Sequence, residues 1–128
     1  MLIDTSAWIE FLRAKGDPIL KSQVSRLVAQ GGAAYTCPVS FELILGAKPH
    51  EMQDLQTALS MALRLKATPG DWDTAAQVAA VLRQKGMNFP ALDLLIAAVA
   101  CAGKVPLLSR DGHFAMIRDL GLPALQLM

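Results

Sequence analysis

Short apolar runs alternate with stretches of helical apolar spacing along this chain, and that alternation predicts strands alternating with helices. Leu2-Ile3 is a short apolar start that ends in Asp4. Thr5 or Ser6 is placed to cap a helix running through Ala14, with Trp8, Ile9, Phe11 and Leu12 on its buried side and Lys15-Gly16 as its stop. A second helix is expected over 17–30, opened by Asp17-Pro18, carried by Ile19, Leu20, Val24, Leu27 and Val28, and ended by Gly31-Gly32. AAYTC at 33–37 reads as a strand, and 39–47 as a helix that carries Glu42 and is broken by Pro49. Residues 50–65 are periodic through Met52, Leu55, Leu59, Met61, Leu63 and Leu65, which predicts a helix. After the loop Thr68-Pro69-Gly70, a helix over 71–85 is stopped by Gly86. VPLLS at 105–109 reads as a strand, Asp111 as the start of a helix with Phe114, Ile117 and Leu120 inside, and 122–128 as a last strand. Strands and helices in this order predict an α/β fold: a small parallel sheet of about four to five short strands, flanked by helices on both faces, in a single domain over 1–128.

The run PALDLLIAAVACA at 90–102 is apolar at every position except Asp93. Pro90 suits a first helical position, which places Asp93 near the first turn. There the helix dipole alone favours a carboxylate. Yet an unpaired carboxylate on an apolar helix is costly to desolvate, so Asp93 must face a cation, a donor or a cleft.

Composition narrows the class. Hydrophobic residues make up 53% and mean hydropathy is +0.36, which excludes a disordered chain. No run reaches the roughly 18 uncharged apolar residues a membrane span needs. MLIDTSAWIE is acidic too early for a signal peptide, so a soluble, cytoplasmic protein is expected. Cys37 and Cys101 form no CxxC and sit in apolar surroundings, which predicts two buried free thiols. With 12 basic and 11 acidic residues, any nucleic-acid contact must come from local charge placement.

Four acids share one placement. Asp4 and Asp111 follow predicted strands, Glu42 sits early in the helix after another, and Asp93 opens the alanine-rich helix. Open parallel sheets place their sites at such strand ends. Taken singly, Asp4 and Asp111 also read as helix caps, and Glu42 and Asp93 as helix-dipole acids. Taken together, the carboxylates would repel by on the order of several kcal/mol without a counter-ion. Oxygen ligands without a His/Cys set suit magnesium or manganese, which can support phosphodiester cleavage.

The chain resembles a known family at four places: LIDTSAWIEFL at 2–12, VSFELILGA at 39–47, ALDLLIAAVA at 91–100 and SRDGHFAMI at 109–117. These look like the signature blocks of PIN-domain ribonucleases, in the order and spacing of the VapC-type toxins of toxin–antitoxin pairs. The resemblance implies a PIN-like fold and a metal-dependent endoribonuclease that inhibits translation. It implies that Asp4, Glu42, Asp93 and Asp111 bind Mg2+ or Mn2+, and that Thr5 or Ser6 and Ser109 hold acids or water in place. It further implies a tRNA or rRNA loop as substrate, a VapB-type antitoxin as partner, and a homodimer. Residues 17–30 and 50–65 carry more apolar positions than one stripe needs, and large exposed apolar patches mark interfaces.

The chain departs from the pattern once. Many relatives have a further Asp two residues after the one matching Asp111, and here His113 stands there. A nitrogen donor at that position favours manganese over magnesium. The other reading is that His113 only caps or covers the helix start. Arg13, Lys15, Arg83, Lys85 and Arg110 are candidates for phosphate contact, with surface solvation as the plainer role of each. Aromatics, at 5%, are too few for a broad base-stacking platform. A receiver-type phosphotransfer domain would need two adjacent acids after the first strand and a late Lys after a strand. Asp4 alone and Ser109-Arg110 argue against it. A PIN-like scaffold without catalysis is the remaining alternative.

Overall fold

Leu2 and Ile3 are both fully buried. Successive strand side chains point to opposite faces, so the sheet is covered on both sides at this strand. The computed structural model describes residues 1–128. Its strands β1 (Leu2–Ile3), β2 (Ala34–Thr36), β3 (Leu63–Leu65) and β4 (Leu107–Leu108) form one parallel sheet in the order β3-β2-β1-β4. Leu2 lies opposite both Ala34 and Leu107, and Ile3 lies opposite Leu108.

The chain runs outward from β1 through α1 (Thr5–Leu12) and α2 (Pro18–Ala29) to β2, then through α3 (Cys37–Gly46) and α4 (Met52–Ser60) to β3. It returns through α5 (Pro69–Gln84) and α6 (Ala91–Ala102) to lay β4 on the other side of β1, and α7 (His113–Gly121) follows. Strand order therefore reverses between β1 and β4, the point where open parallel sheets form a crevice beyond their carboxyl ends.

Leu94 through Ala100 are all buried, so α6 is apolar all round and sits in the interior, packed against α5, α3 and α7. Its alanines allow that close approach. Trp8, Phe114, Leu107 and Ile117 complete the core around it.

Several boundaries differ from the expected ones. Asp4, not Thr5 or Ser6, caps α1, because its carboxylate takes the Ser6 N–H and frees both hydroxyls for other work. The helix ends at Leu12 rather than at residue 14. Pro90 is the N-cap of α6 rather than its first helical residue. The helix expected over 50–65 is a 3-10 turn at Pro49–Glu51, then α4, then edge strand β3. A strand of three residues is too short to show a period of its own and continues the helical count of Leu59 and Met61. The expected strand over 122–128 is reduced to one bridge, Leu127 to Leu107, because Leu122 closes α7 by bonding back to Ile117 and Pro123 has no N–H to donate. Cys37 is exposed and Cys101 half-buried, not buried as expected: Cys37 opens α3 on its outer side. Exposed large apolar side chains gather on α3, at Phe41, Ile44 and Leu45, more than on α2 and α4.

Candidate active site at the carboxyl end of the sheet

Asp4 leaves β1 at its carboxyl end and is only 4% exposed. Its Oδ2 accepts hydrogen bonds from Ser6 Oγ at 2.9 Å and from Ser109 Oγ at 2.8 Å, with the Ser6 N–H more distant at 3.4 Å. The two hydroxyls lie 3.1 Å apart. Each has one proton, and both protons are given to Asp4, so that contact adds no third bond. Ser6 Oγ also accepts from the Arg110 N–H at 3.0 Å, and Ser109 Oγ from the Asp111 N–H at 2.9 Å. This network ties the segment after β1 to the segment after β4, across the reversal of strand order.

Glu42 projects from α3, which starts directly after β2. Its Oε1 accepts from Thr5 Oγ1 at 2.9 Å. Thr5 and Ser6 thus each hold a different acid. Asp93 stands in the first turn of α6, half-buried. His113 Nδ1 is 3.2 Å from Asp93 Oδ2 and 3.3 Å from Asp111 Oδ1. Asp111 Oδ1 also accepts the His113 N–H at 2.9 Å. The Phe89 ring packs edge-on against the imidazole, with centroids 5.3 Å apart. His113 thus stands between Asp93 and Asp111 with its side chain 45% exposed, and Gly112 is the N-cap of α7.

Burial pushes the Asp93 carboxyl above the ordinary aspartate range. The His113 hydrogen bond pulls it back, and the charges of Asp4, Asp111 and Glu42 raise it further. The charges of Asp4, Glu42 and Asp111 thus reach Asp93. Asp93, Asp111 and His113 each offer a ligand atom within 4.8 Å of the others, a mixed oxygen and nitrogen donor set that fits a divalent cation. Of the four acids expected to share an ion, Asp4 and Glu42 fall outside this set: the Ser6 and Ser109 hydroxyls hold Asp4, and the Thr5 hydroxyl holds Glu42.

One residue escaped the sequence reading. Glu10, at 8% exposure, lies in the apolar run AWIEFL. It accepts the Asp17 N–H at 2.7 Å and pairs with Arg110 Nη1 at 2.8 Å and Arg13 Nη1 at 3.5 Å. The signal was present: a carboxylate between Trp8 and Phe11, on a helix whose inner side is apolar, needs partners. Lys85 is held by the Leu120 carbonyl, away from the acids.

A family model described as PIN domain matches residues 1–120. Ribonuclease VapC11 of Mycobacterium tuberculosis is 31% identical over 127 residues, covering 91% of this chain and 90% of that protein. Among solved structures, VapBC2 from Rickettsia felis, bound to a DNA fragment from its promoter, superposes with a TM-score of 0.81 at 22% identity, over 99% of this chain and 96% of that one. VapC20 of Mycobacterium tuberculosis, a sarcin–ricin loop cleaving toxin, gives 0.68 at 18% identity, over 90% and 92%. The chain belongs to the PIN-domain family, among its VapC-type ribonucleases.

Proposed function

We propose that this chain is the endoribonuclease toxin of a toxin–antitoxin pair, and that the acidic crevice beyond β1 and β4 hydrolyses RNA phosphodiester bonds. The observation that carries this reading is the group Asp93, Asp111 and His113, whose ligand atoms lie within 4.8 Å of one another beyond the carboxyl end of the sheet. Such crowding is stabilised by a cation. Asp93, Asp111 and His113, with Asp4 and Glu42 beside them, would hold Mg2+ or Mn2+. When bound, the ion supplies Lewis-acid charge for the phosphoryl oxygens and for water. Ser6 and Ser109 fix the orientation of Asp4, Thr5 fixes Glu42, and Asp111 is fixed through its own N–H on Ser109.

Cleavage of a tRNA or rRNA loop would stop translation. Sparse aromatics favour recognition of RNA shape and exposed loops over base stacking. A VapB-type antitoxin is the partner of this chain, in keeping with its VapC relatives. A cavity of about 530 Å³ bordered by Ile9, Leu12, Leu43 and Leu55 reaches Glu42, and exposed Phe41, Ile44 and Leu45 share the helix that carries Glu42. An antitoxin segment seated there would cover the site. A homodimer in the cytoplasm completes the reading; no helix is long and apolar enough to cross a membrane.

The test is RNA cleavage by purified protein in Mg2+ or Mn2+, with and without EDTA. Asp93→Asn keeps the side-chain shape and removes the charge. It is expected to fold, by circular dichroism, and to lose cleavage. Full activity in the folded variant removes Asp93 from the site. A folded wild type that cuts no RNA in either ion supports a scaffold instead. Light scattering at micromolar concentration tests the dimer, and a strict monomer refutes it.

A further inference from the structure

A second cleft, of about 510 Å³, opens between the end of α1 and the start of α2, and its chemistry is opposite to that of the acidic crevice. Arg13, Lys15 and Arg110 line it, with Glu10 and Asp17. Both acids are already engaged in hydrogen bonds. Asp17 Oδ1 takes the Ile19 and Leu20 N–H groups as the cap of α2. Glu10 is buried, and its Oε1 forms an ion pair with Arg110 Nη1 at 2.8 Å and accepts from Arg13 Nη1 at 3.5 Å. Two guanidinium groups therefore converge on one carboxylate oxygen, and with Lys15 and Asp17 counted the cleft carries a net charge of +1. Their side chains remain 53% and 60% exposed, and each guanidinium keeps most of its five donors free for solvent or a ligand. The Lys21 ammonium bonds the Phe11 and Arg13 carbonyls, which fixes the backbone under Arg13.

The cleft is joined to the acids. Arg110 precedes Asp111, and its N–H bonds the Ser6 hydroxyl that holds Asp4. A chain occupying the cleft would pass directly beside the crevice. Ile19 is the one large apolar side chain of the lining, so an apolar peptide has little to bury there, whereas a polyanion meets pre-oriented cations.

We propose that this cleft binds the RNA backbone flanking the cleaved bond, with Arg13, Lys15 and Arg110 contacting phosphates and Glu10 acting as the positioning residue for both arginines. The proposal rests on the ribonuclease reading. The probe is a fluorescein-labelled RNA stem-loop, followed by anisotropy across a salt series and by cleavage kinetics. Arg13→Gln with Lys15→Gln alters exposed side chains and is expected to fold. Each lost phosphate contact lowers the slope of log K against log salt by about 0.7, so the double variant should lose about 1.4. Its KM should rise several-fold more than its kcat falls. Adding Glu10→Gln and Arg110→Gln together, which leaves no unpaired buried charge, should lower the slope by about 0.7 more. Lys104→Gln, at the far end of α6 from Asp93, should match wild type. Wild type that cuts RNA while the double variant keeps the full slope and KM overturns this inference alone. Wild type that neither binds nor cuts RNA overturns it together with the ribonuclease reading.

Discussion

Ser109→Ala isolates the hydroxyl that ties the end of β4 to Asp4. The change removes one oxygen and leaves almost no cavity, so its cost is that of lost hydrogen bonds. Asp4 is 4% exposed and has two close donors, Ser6 Oγ at 2.9 Å and Ser109 Oγ at 2.8 Å. A hydrogen bond to a charged group contributes about 1.5–3 kcal/mol. The Asp111 N–H also loses its acceptor, but Asp111 is half-buried and water can replace that bond. The expected loss is about 2 kcal/mol, which for a chain of this length lowers Tm by roughly 8 °C. Thermal melting in EDTA, followed by circular dichroism, reads it without any contribution from metal.

The double variant Ser6→Ala/Ser109→Ala sharpens the test. With one hydroxyl left, Asp4 keeps a good donor; with neither, it keeps only the Ser6 N–H at 3.4 Å. The second loss should therefore cost more than the first, with a coupling of at least about 0.5 kcal/mol. Cleavage should fall about tenfold in Ser109→Ala, because Asp4 loses its fixed orientation. A single-variant loss below about 0.5 kcal/mol, or strict additivity, would refute the claim that the hydroxyl pair holds Asp4.

Three further outcomes follow from the same geometry. Asp93 is raised above its unfolded value, so its share of metal-free stability is full below the unfolded pKa and lost as pH rises through the folded one; the Tm of wild type minus that of Asp93→Asn, both in EDTA, should fall from acid to neutral pH, and a flat difference contradicts this. His113→Asp replaces a nitrogen donor by a carboxylate, so the Tm rise in Mg2+ should grow relative to that in Mn2+, and an unchanged ratio would show that His113 does not meet the ion. A Cβ on Gly16 would lie 1.9 Å from the Glu10 carbonyl oxygen, a backbone atom that cannot yield, so Gly16→Ala should cost about 3 kcal/mol in a melting experiment, and a near-neutral Tm counts against the close packing of this turn.

The strand-helix alternation was legible because β1, β2 and β4 are short apolar runs set between helices with caps and glycine stops. β3 was not, because Leu63 and Leu65 continue a helical count begun in α4, and only pairing with β2 makes them a strand. The acids could be named singly from their positions after apolar runs. Their convergence depends on β4 crossing to the far side of β1, which no local pattern encodes. Glu10 was half legible. Its place between Trp8 and Phe11 calls for partners, but Arg110 is distant in the chain and only the fold brings it near.

His113 shows how the site limits its own repulsion. Nδ1 carries one hydrogen at most, yet Asp93 Oδ2 and Asp111 Oδ1 lie at 3.2 and 3.3 Å. One hydrogen on Nδ1 can be shared between the two carboxylates but cannot fully satisfy both. The N-terminus of α6 helps Asp93 through its positive dipole end, but Asp93 is half-buried and still feels Asp4, Glu42 and Asp111. A carboxylate in place of the imidazole would add another negative charge where three already press on Asp93, and would remove the donor between Asp93 and Asp111. The metal-free fold would weaken and the gain on binding a cation would grow. The imidazole therefore lowers the penalty the protein bears without metal, and the same exchange replaces a hard oxygen ligand with nitrogen. His113→Asp should therefore move metal preference and metal-free stability together, and a change in only one of them would separate the two roles of this side chain.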